Sequence, residues 1–409
     1  MTFPTVLSGS QPKDQTIQVT HWLLLGLSTV VYLLGGTAAT LISVYLPGVV
    51  ADLLGDNTPE RLNQYGPYLN AAFLYGMTAG GLTLGILSDR IGRVRSLAVS
   101  AAGYGLFTCL MVSVSSWQML VLYRFMAGMG VAGVLLISTV FISEVWPVRS
   151  RAVVQGLLSL MFPVGIVLTG VLNVQIADWR LAAWLGLVPI LAAGLMPLLL
   201  RESDVWRQSR TAPPADSGSL FSADNRRQLL FGAVIYGSVL IGLWAVFSWT
   251  PTWVNGLPGT GGQQVQGFTM MIFGLGGIAG GAVSGLLVNR LGLRRVLLMT
   301  FGACFCLCCL LFLTHPVFSP RIYVETALLA LLFGISQGAL SVYVPQLFPS
   351  LIRATATGFC FNIGRVFTAS AVFFAGWLAT ALGGFGNAIC IFSVFFVVAA
   401  ITVSRDSHL

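Results

Sequence analysis

The chain has 409 residues, of which 56% are hydrophobic and 8% charged, with a formal net charge of +8. A soluble domain carries roughly 25% charged residues, so this composition excludes a water-soluble fold, and a chain this apolar does not remain disordered. The basic residues are scattered singly or in twos and threes between apolar runs, the distribution of a polytopic membrane protein and not of a nucleic-acid-binding face.

About twenty polar residues, Lys13 among them, precede a first apolar run too long for the core of a cleaved signal, so no cleavage is expected. Twelve apolar segments follow in chain order, at 22–50, 66–88, 96–115, 118–142, 151–175, 179–200, 228–254, 264–288, 296–314, 322–345, 354–378 and 383–403. Each reaches the length of about 20 residues that a spanning helix needs, and the breaks carry Pro, Gly or charge. An even number of crossings puts both termini on one side. Sixteen basic residues, from Lys13 to Arg405, fall in the connections on that side, against Arg61, Arg180 and Arg321 on the other. The termini are therefore expected to be cytoplasmic, in a plasma (inner) membrane. The longest polar connection divides the chain into a tail 1–21, a six-helix bundle 22–200, a linker 201–227, a second bundle 228–403 and a tail 404–409.

An internal repeat supports that division. GILSDRIGRVR at 85–95 returns as GLLVNRLGLRR at 285–295, and EVWPVRSR at 144–151 returns as QLFPSLIR at 346–353. The two correspondences share nearly one offset. The first copy lies between segments two and three, where glycines permit a tight helix-to-helix turn and Asp89 can accept hydrogen bonds from neighbouring guanidinium groups. It reads either as a solvated loop that only fixes topology or as a latch, and the repeat favours the latch. Its members are Gly85, Asp89, Arg90, Gly92 and Arg93, with Glu144, Arg149 and Arg151 at the exit of segment four and Asn289, Arg290, Arg294 and Arg353 in the second half.

These residues resemble the major facilitator superfamily, whose loop between helices 2 and 3 carries G-x-x-x-D-R-x-G-R, matched at Gly85, Asp89, Arg90, Gly92 and Arg93. The resemblance implies an all-α membrane protein with 12 transmembrane helices in two pseudo-symmetric six-helix bundles, working as a secondary transporter by alternating access. It also gives Asp89 and Arg93 a part in a charge network that stabilises the outward-facing state. The second copy departs from the signature at Asn289 and Leu293, so a weaker latch is expected there. Segment four is similar to the family's Arg-x-x-x-Gly-x-Gly pattern at Arg124, Gly128 and Gly130, followed by Glu144, Pro147 and Arg151; Glu144 is expected to pair with the latch. Segment eleven, GFCFNIGRVFTASA, resembles the branch of organic-ion, aromatic-acid and sialic-acid type transporters, with Gln346 where that branch commonly has Glu.

Charges inside the bilayer are costly and normally face a cavity or a partner. Arg124 and Arg365 are the basic residues placed well inside a segment; Glu325 and Asp52, near the opposite interface, are the acids left as coupling candidates. Arg365 reads as a ligand for an anionic group, because a guanidinium matches a carboxylate, or as a structural residue satisfying helix-end carbonyls or Gln337. Arg124, closer to a helix end, reads as a solute contact or as a side chain that snorkels to the interface, and Asn362 shares a face with Arg365. Trp249 and Trp253 read as interfacial anchors, Pro251 as a break in segment seven, and Trp244, Tyr343, Gln337 and Tyr32 as further solute contacts. No catalytic, metal-binding or nucleotide-binding constellation is present, so no enzyme activity and no cofactor are expected. The expectation is a monomeric transporter of a small organic anion in the lipid bilayer, with protons as candidate coupling ions. The alternative is a facilitator, an exchanger, or an exporter of neutral or cationic solutes.

Overall fold

The computed structural model describes residues 17–209, 223–259, 262–348 and 353–405, and among these twelve helices are long and apolar enough to cross a membrane. They are α1 (Val19–Leu54), α2 (Pro59–Ile91), α3 (Arg93–Ser113), α4 (Trp117–Val145), α5 (Val148–Gln175), α6 (Trp179–Leu199), α7 (Ala223–Asn255), α8 (Gln263–Leu291), α9 (Leu293–Leu313), α10 (Arg321–Gln346), α11 (Arg353–Leu382) and α12 (Phe385–Ser404). Several run past the apolar segments read from the sequence. α2 starts at Pro59 and not near 66, because Pro at the first helical position is tolerated and polar turns outside the bilayer continue the helix. Within the polar linker a short helix, Asp204–Ser209, is formed; residues 210–222 lie outside the described residues.

The repeat has a structural counterpart. α2 packs on α4, α1 on α5 and α3 on α6; six helices later, α8 packs on α10, α7 on α11 and α9 on α12. The result is two six-helix bundles of the same design. In both, small residues let backbones touch: Gly76 meets the carbonyl of Phe125 across α2 and α4, and Gly280 meets that of Leu331 across α8 and α10. Both copies of the repeated motif turn through one glycine in the left-handed region, Gly92 (φ 104) and Gly292 (φ 84), so that α2 passes into α3 and α8 into α9 with no loop between.

The bundles meet along α2–α11 and α5–α8. Asn63 Nδ2 donates to Thr380 Oγ1 at 3.0 Å, Tyr75 and Ser370 share a hydroxyl hydrogen bond of 2.8 Å, and Gln263 Nε2 donates to the carbonyls of Asn173 (2.7 Å) and Ile176 (3.1 Å). These contacts lie from the middle of the helices to the end opposite the termini. Toward the termini the same faces are bare. Tyr68, Tyr75, Leu82 and Asp89 recur every seven residues on one side of α2; the first two reach toward α11, whereas Leu82 is 54% exposed and the Asp89 side chain 73%. Among the described residues no ion pair joins the bundles. The molecule is therefore sealed at one end and parted at the end that carries the termini.

Candidate functional site

Arg365 stands twelve residues after the start of α11, where the parted bundles converge. Its Cζ lies 4.0 Å from the ring centroid of Phe361, one turn earlier, an arrangement that favours a cation over an aromatic face. The Phe361 ring is edge-on to Tyr236 of α7, with centroids 4.8 Å apart and planes at 75°. Gly237 and Gly364 make this possible: a Cβ on Gly364 would come within 3.0 Å of the Gly237 backbone, so α7 and α11 touch there and present Tyr236 and Arg365 side by side. From the other bundle, Tyr32 of α1 lies within electrostatic reach of Arg365 and Tyr236, beside Ser159 of α5 and Thr139 of α4. Gly81 of α2 closes the ring, since a Cβ there would sit 2.8 Å from Asn362 Oδ1 and 3.7 Å from Arg365 Nη1.

Arg365 donates no hydrogen bond and has no carboxylate within ion-pair distance among the described residues. Asn362 Oδ1 and Gln337 Nε2 are likewise buried without a protein partner, although Asn362 Nδ2 donates to the Gly358 carbonyl at 3.0 Å. Buried polar groups are normally satisfied. A guanidinium left unpaired at the meeting of two bundles, with an aromatic wall on one side, is suited to an anion with an apolar or aromatic body. A crevice of about 740 Å³ between Tyr68, Tyr75, Gln118, Phe125 and Phe373 belongs to another surface, on α2, α4 and α11, and does not include Arg365.

Arg124 is different. It is 1% exposed and lies inside the first bundle, where Nη1 donates to Ala38 O at 2.7 Å, Nη2 to Ala39 O at 3.2 Å and Nε to Leu69 O at 3.3 Å, with Cζ 4.3 Å from the Phe73 ring centroid. These three hydrogen bonds tie α4 to α1 and α2, a structural role inside the first bundle.

The residues of the repeated motif form a closed network at the end of α2. Arg93 reaches Glu144 at 2.8 Å, Asp89 at 2.6 Å and Ser88 Oγ at 3.0 Å. Glu202, at the start of the linker, caps α3 by accepting from the backbone N–H groups of Arg93 (2.8 Å) and Val94 (3.2 Å), and Trp206 of the linker helix donates to the Asp89 carbonyl at 2.9 Å. Its members all belong to the first bundle and the linker. Arg90 and Arg149 are exposed and form no ion pair among the described residues, and Arg151 donates to the Trp146 carbonyl instead. In the second copy Asn289 and Arg290 are exposed, Arg294 donates to the Ser404 carbonyl at 2.6 Å, and the Arg353 side chain lies outside the described residues.

A family model described as Major Facilitator Superfamily matches residues 28–369. The chain belongs to the Major Facilitator Superfamily. It is 30% identical to a "Probable 4-methylmuconolactone transporter" of Cupriavidus pinatubonensis over 80% of this chain and 79% of that one. It is 28% identical to a "Cis,cis-muconate transport protein" of Acinetobacter baylyi, over 76% and 78%. Among solved structures, a D-xylose-proton symporter superposes with a TM-score of 0.77 at 17% identity, covering 94% of this chain and 98% of that one, which establishes the fold. The protein is thus a multi-pass membrane transporter of the superfamily's secondary type and not an enzyme. Its relatives fall in the organic-acid branch that the eleventh segment resembles.

Within this superfamily member several sequence readings need correction. Tyr343 is 1% exposed and offers no surface to a solute in this conformation. Trp249 and Trp253 are buried and so are not interfacial anchors: Trp249 stacks on Phe385 at 4.6 Å and Trp253 packs edge-on to Phe312. Pro251 does not break α7, which continues through it to Asn255. Trp244 is partly buried, with Phe247 at 6.5 Å between ring centroids. Asp52 is bound to Arg180 at 2.8 Å and to Trp179 Nε1 at 3.1 Å, whereas Glu325 lies 3.6 Å from His315 with its Oε2 buried and without a hydrogen bond; both lie at the sealed end, away from Arg365. Tyr236, Phe361, Gly81, Glu202 and Trp206 were not anticipated. No periodic signal separates a cavity-facing aromatic from a packed one in a helix that is apolar all round.

The network yields a graded expectation. Arg93 and Glu144 side chains are 11% and 12% exposed, so Glu144→Ala leaves a buried guanidinium short of its partner and should lower stability by about 3 kcal/mol. Asp89→Asn, at an exposed carboxylate, should change it by less than about 1 kcal/mol. Thermal unfolding of the two variants in detergent measures the contrast, and equal losses would place the weight of the network elsewhere.

Proposed function

We propose that this protein moves a small organic anion bearing a carboxylate across the plasma (inner) membrane by alternating access, with both termini cytoplasmic. The observation that carries the reading is Arg365: a guanidinium between two bundles, free of any protein anion among the described residues, with Phe361 and Tyr236 as an aromatic wall and Asn362 and Tyr32 as neutral polar neighbours. A lone charge in the bilayer interior is expensive, and a solute carboxylate is the partner whose planar geometry it fits. Names of relatives that mention muconate and methylmuconolactone support the same chemistry. The described end-to-end asymmetry supports rocking of two rigid bundles about Arg365, and a monomer holds both.

Asp52 is held by Arg180 and Glu325 lies 3.6 Å from His315, both at the sealed end, and no carboxylate stands beside Arg365 among the described residues. This favours uniport or anion exchange over coupling through a titrating acid at the solute site. Purified protein in liposomes should take up an organic acid such as cis,cis-muconate and show counterflow without a pH gradient. Uptake of neutral sugars or organic cations with carboxylates ignored would overturn the proposal, and strict dependence on an inward proton gradient would overturn its coupling arm.

Gly81 offers a steric check. Leu at this position would fill the space beside Asn362 and Arg365. Overpacking of this kind costs about 1–3 kcal/mol, so Gly81→Leu should cut uptake about tenfold or more while helical content by circular dichroism stays unchanged.

A further inference from the structure

The ends of α7 and α12 nearest the termini frame a groove of about 450 Å³, lined by Arg226, Arg227, Leu230, Phe231 and Val234 of α7 and Thr402 of α12. Arg226 and Arg227 are exposed and take part in no hydrogen bond or ion pair among the described residues. They sit in the first turns of α7, where the helix end is itself positive and cations are disfavoured. Asp224 in the same turn offsets one of these charges, and the two guanidiniums with the helix end still leave the mouth net positive, a field that an external anion would relieve. Arg405, one turn beyond Thr402, is exposed on the same end of α12, and the Arg294 hydrogen bond to the Ser404 carbonyl fastens that end to α9.

Below this charged mouth the wall is apolar. Leu230 is 68% exposed and Val234 39%, and with Phe231 they continue the face of Arg227 along the helix. A free anion would use only the mouth. A charged mouth above an apolar trough matches a ligand with an anionic head and a hydrocarbon tail, and the bilayer supplies such ligands at high concentration.

We propose that this groove binds an anionic phospholipid of the leaflet on the side of the termini, with its phosphate held by Arg226 and Arg227 and an acyl chain along Leu230, Phe231 and Val234. Tyr236 lies two residues beyond Val234, so the lipid would rest on the helix that presents an aromatic wall to the solute site.

The test uses the full-length protein extracted from vesicles of equal phosphatidylglycerol and phosphatidylcholine, with retained lipids counted by native mass spectrometry. Phosphatidylglycerol should be retained about 25-fold over phosphatidylcholine, roughly fivefold for each of two arginines. The double variant Arg226→Gln, Arg227→Gln should lose that preference, and Leu230→Glu should lower retention with both arginines intact. Circular dichroism of each variant confirms the fold. Equal retention of the two lipids by the unmodified protein, or a preference that survives in the double variant, overturns the proposal. Displacement of the lipid by inorganic phosphate, or full retention in Leu230→Glu, shows a simple anion site and overturns it as well.

Discussion

Arg365→Ala is expected to reduce organic-acid uptake in proteoliposomes about 100-fold or more while leaving thermal stability unchanged or slightly raised. Removing one partner of a desolvated charge pair costs about 2–5 kcal/mol of binding, and here the other partner is the solute, so the loss falls on transport. The apo protein loses the Phe361 contact at 4.0 Å but no hydrogen bond, because the guanidinium donates none within the described residues. Arg365→Lys should restore part of the activity, since it keeps a charge but not the planar fork. Uptake kinetics with the three proteins, alongside their melting temperatures, decide the matter. Retained uptake in the Ala variant would remove Arg365 from the solute site.

Arg124→Ala should do the opposite. Its three hydrogen bonds to the carbonyls of Ala38, Ala39 and Leu69 are made by a charged donor at 1% exposure. Hydrogen bonds to charged groups contribute about 1.5–3 kcal/mol each at most, and truncation also leaves a cavity against Phe73. A loss of about 3 kcal/mol or more is expected, seen as a drop of roughly 5 °C or more in melting temperature. In the fraction that remains folded, the KM for the solute should stay within about twofold of the parent value. A large rise in KM with an unaltered melting temperature would return Arg124 to the solute site.

The two arginines show how far a sequence reading reaches. Both stand inside apolar segments, and the cost of burying charge flags both. What separates them is direction around the helix axis. Arg124 points to the carbonyls of α1 and α2, and Arg365 points between bundles, a difference that depends on which helices touch at Gly76, Gly128, Gly237 and Gly364. The same limit applies to Trp249, which lies in a polar-flanked stretch near a helix end yet is 0% exposed, because Gly66 of α2 and Phe385 of α12 close over it. Glu202 and Trp206 escaped notice because a capping role for a linker residue exists only once the chain has folded back onto α3.

By itself the sequence determined that this is a membrane protein, its number of crossings, the repeat behind its two bundles and its superfamily. Those features are one-dimensional: hydropathy over about 20 residues, the sign of charge in short loops, and glycines whose spacing returns after 200 positions, seen in the structure as Gly92 and Gly292 in the same left-handed turn. Only the tertiary structure decided which buried charge is spent on the fold, which end of the molecule is sealed, and that Tyr236, Phe361, Tyr32 and Gly81 gather around Arg365. Those facts rest on contacts between α1, α2, α7 and α11, distant in the chain, and in helices apolar on every side no local pattern encodes which face meets which neighbour.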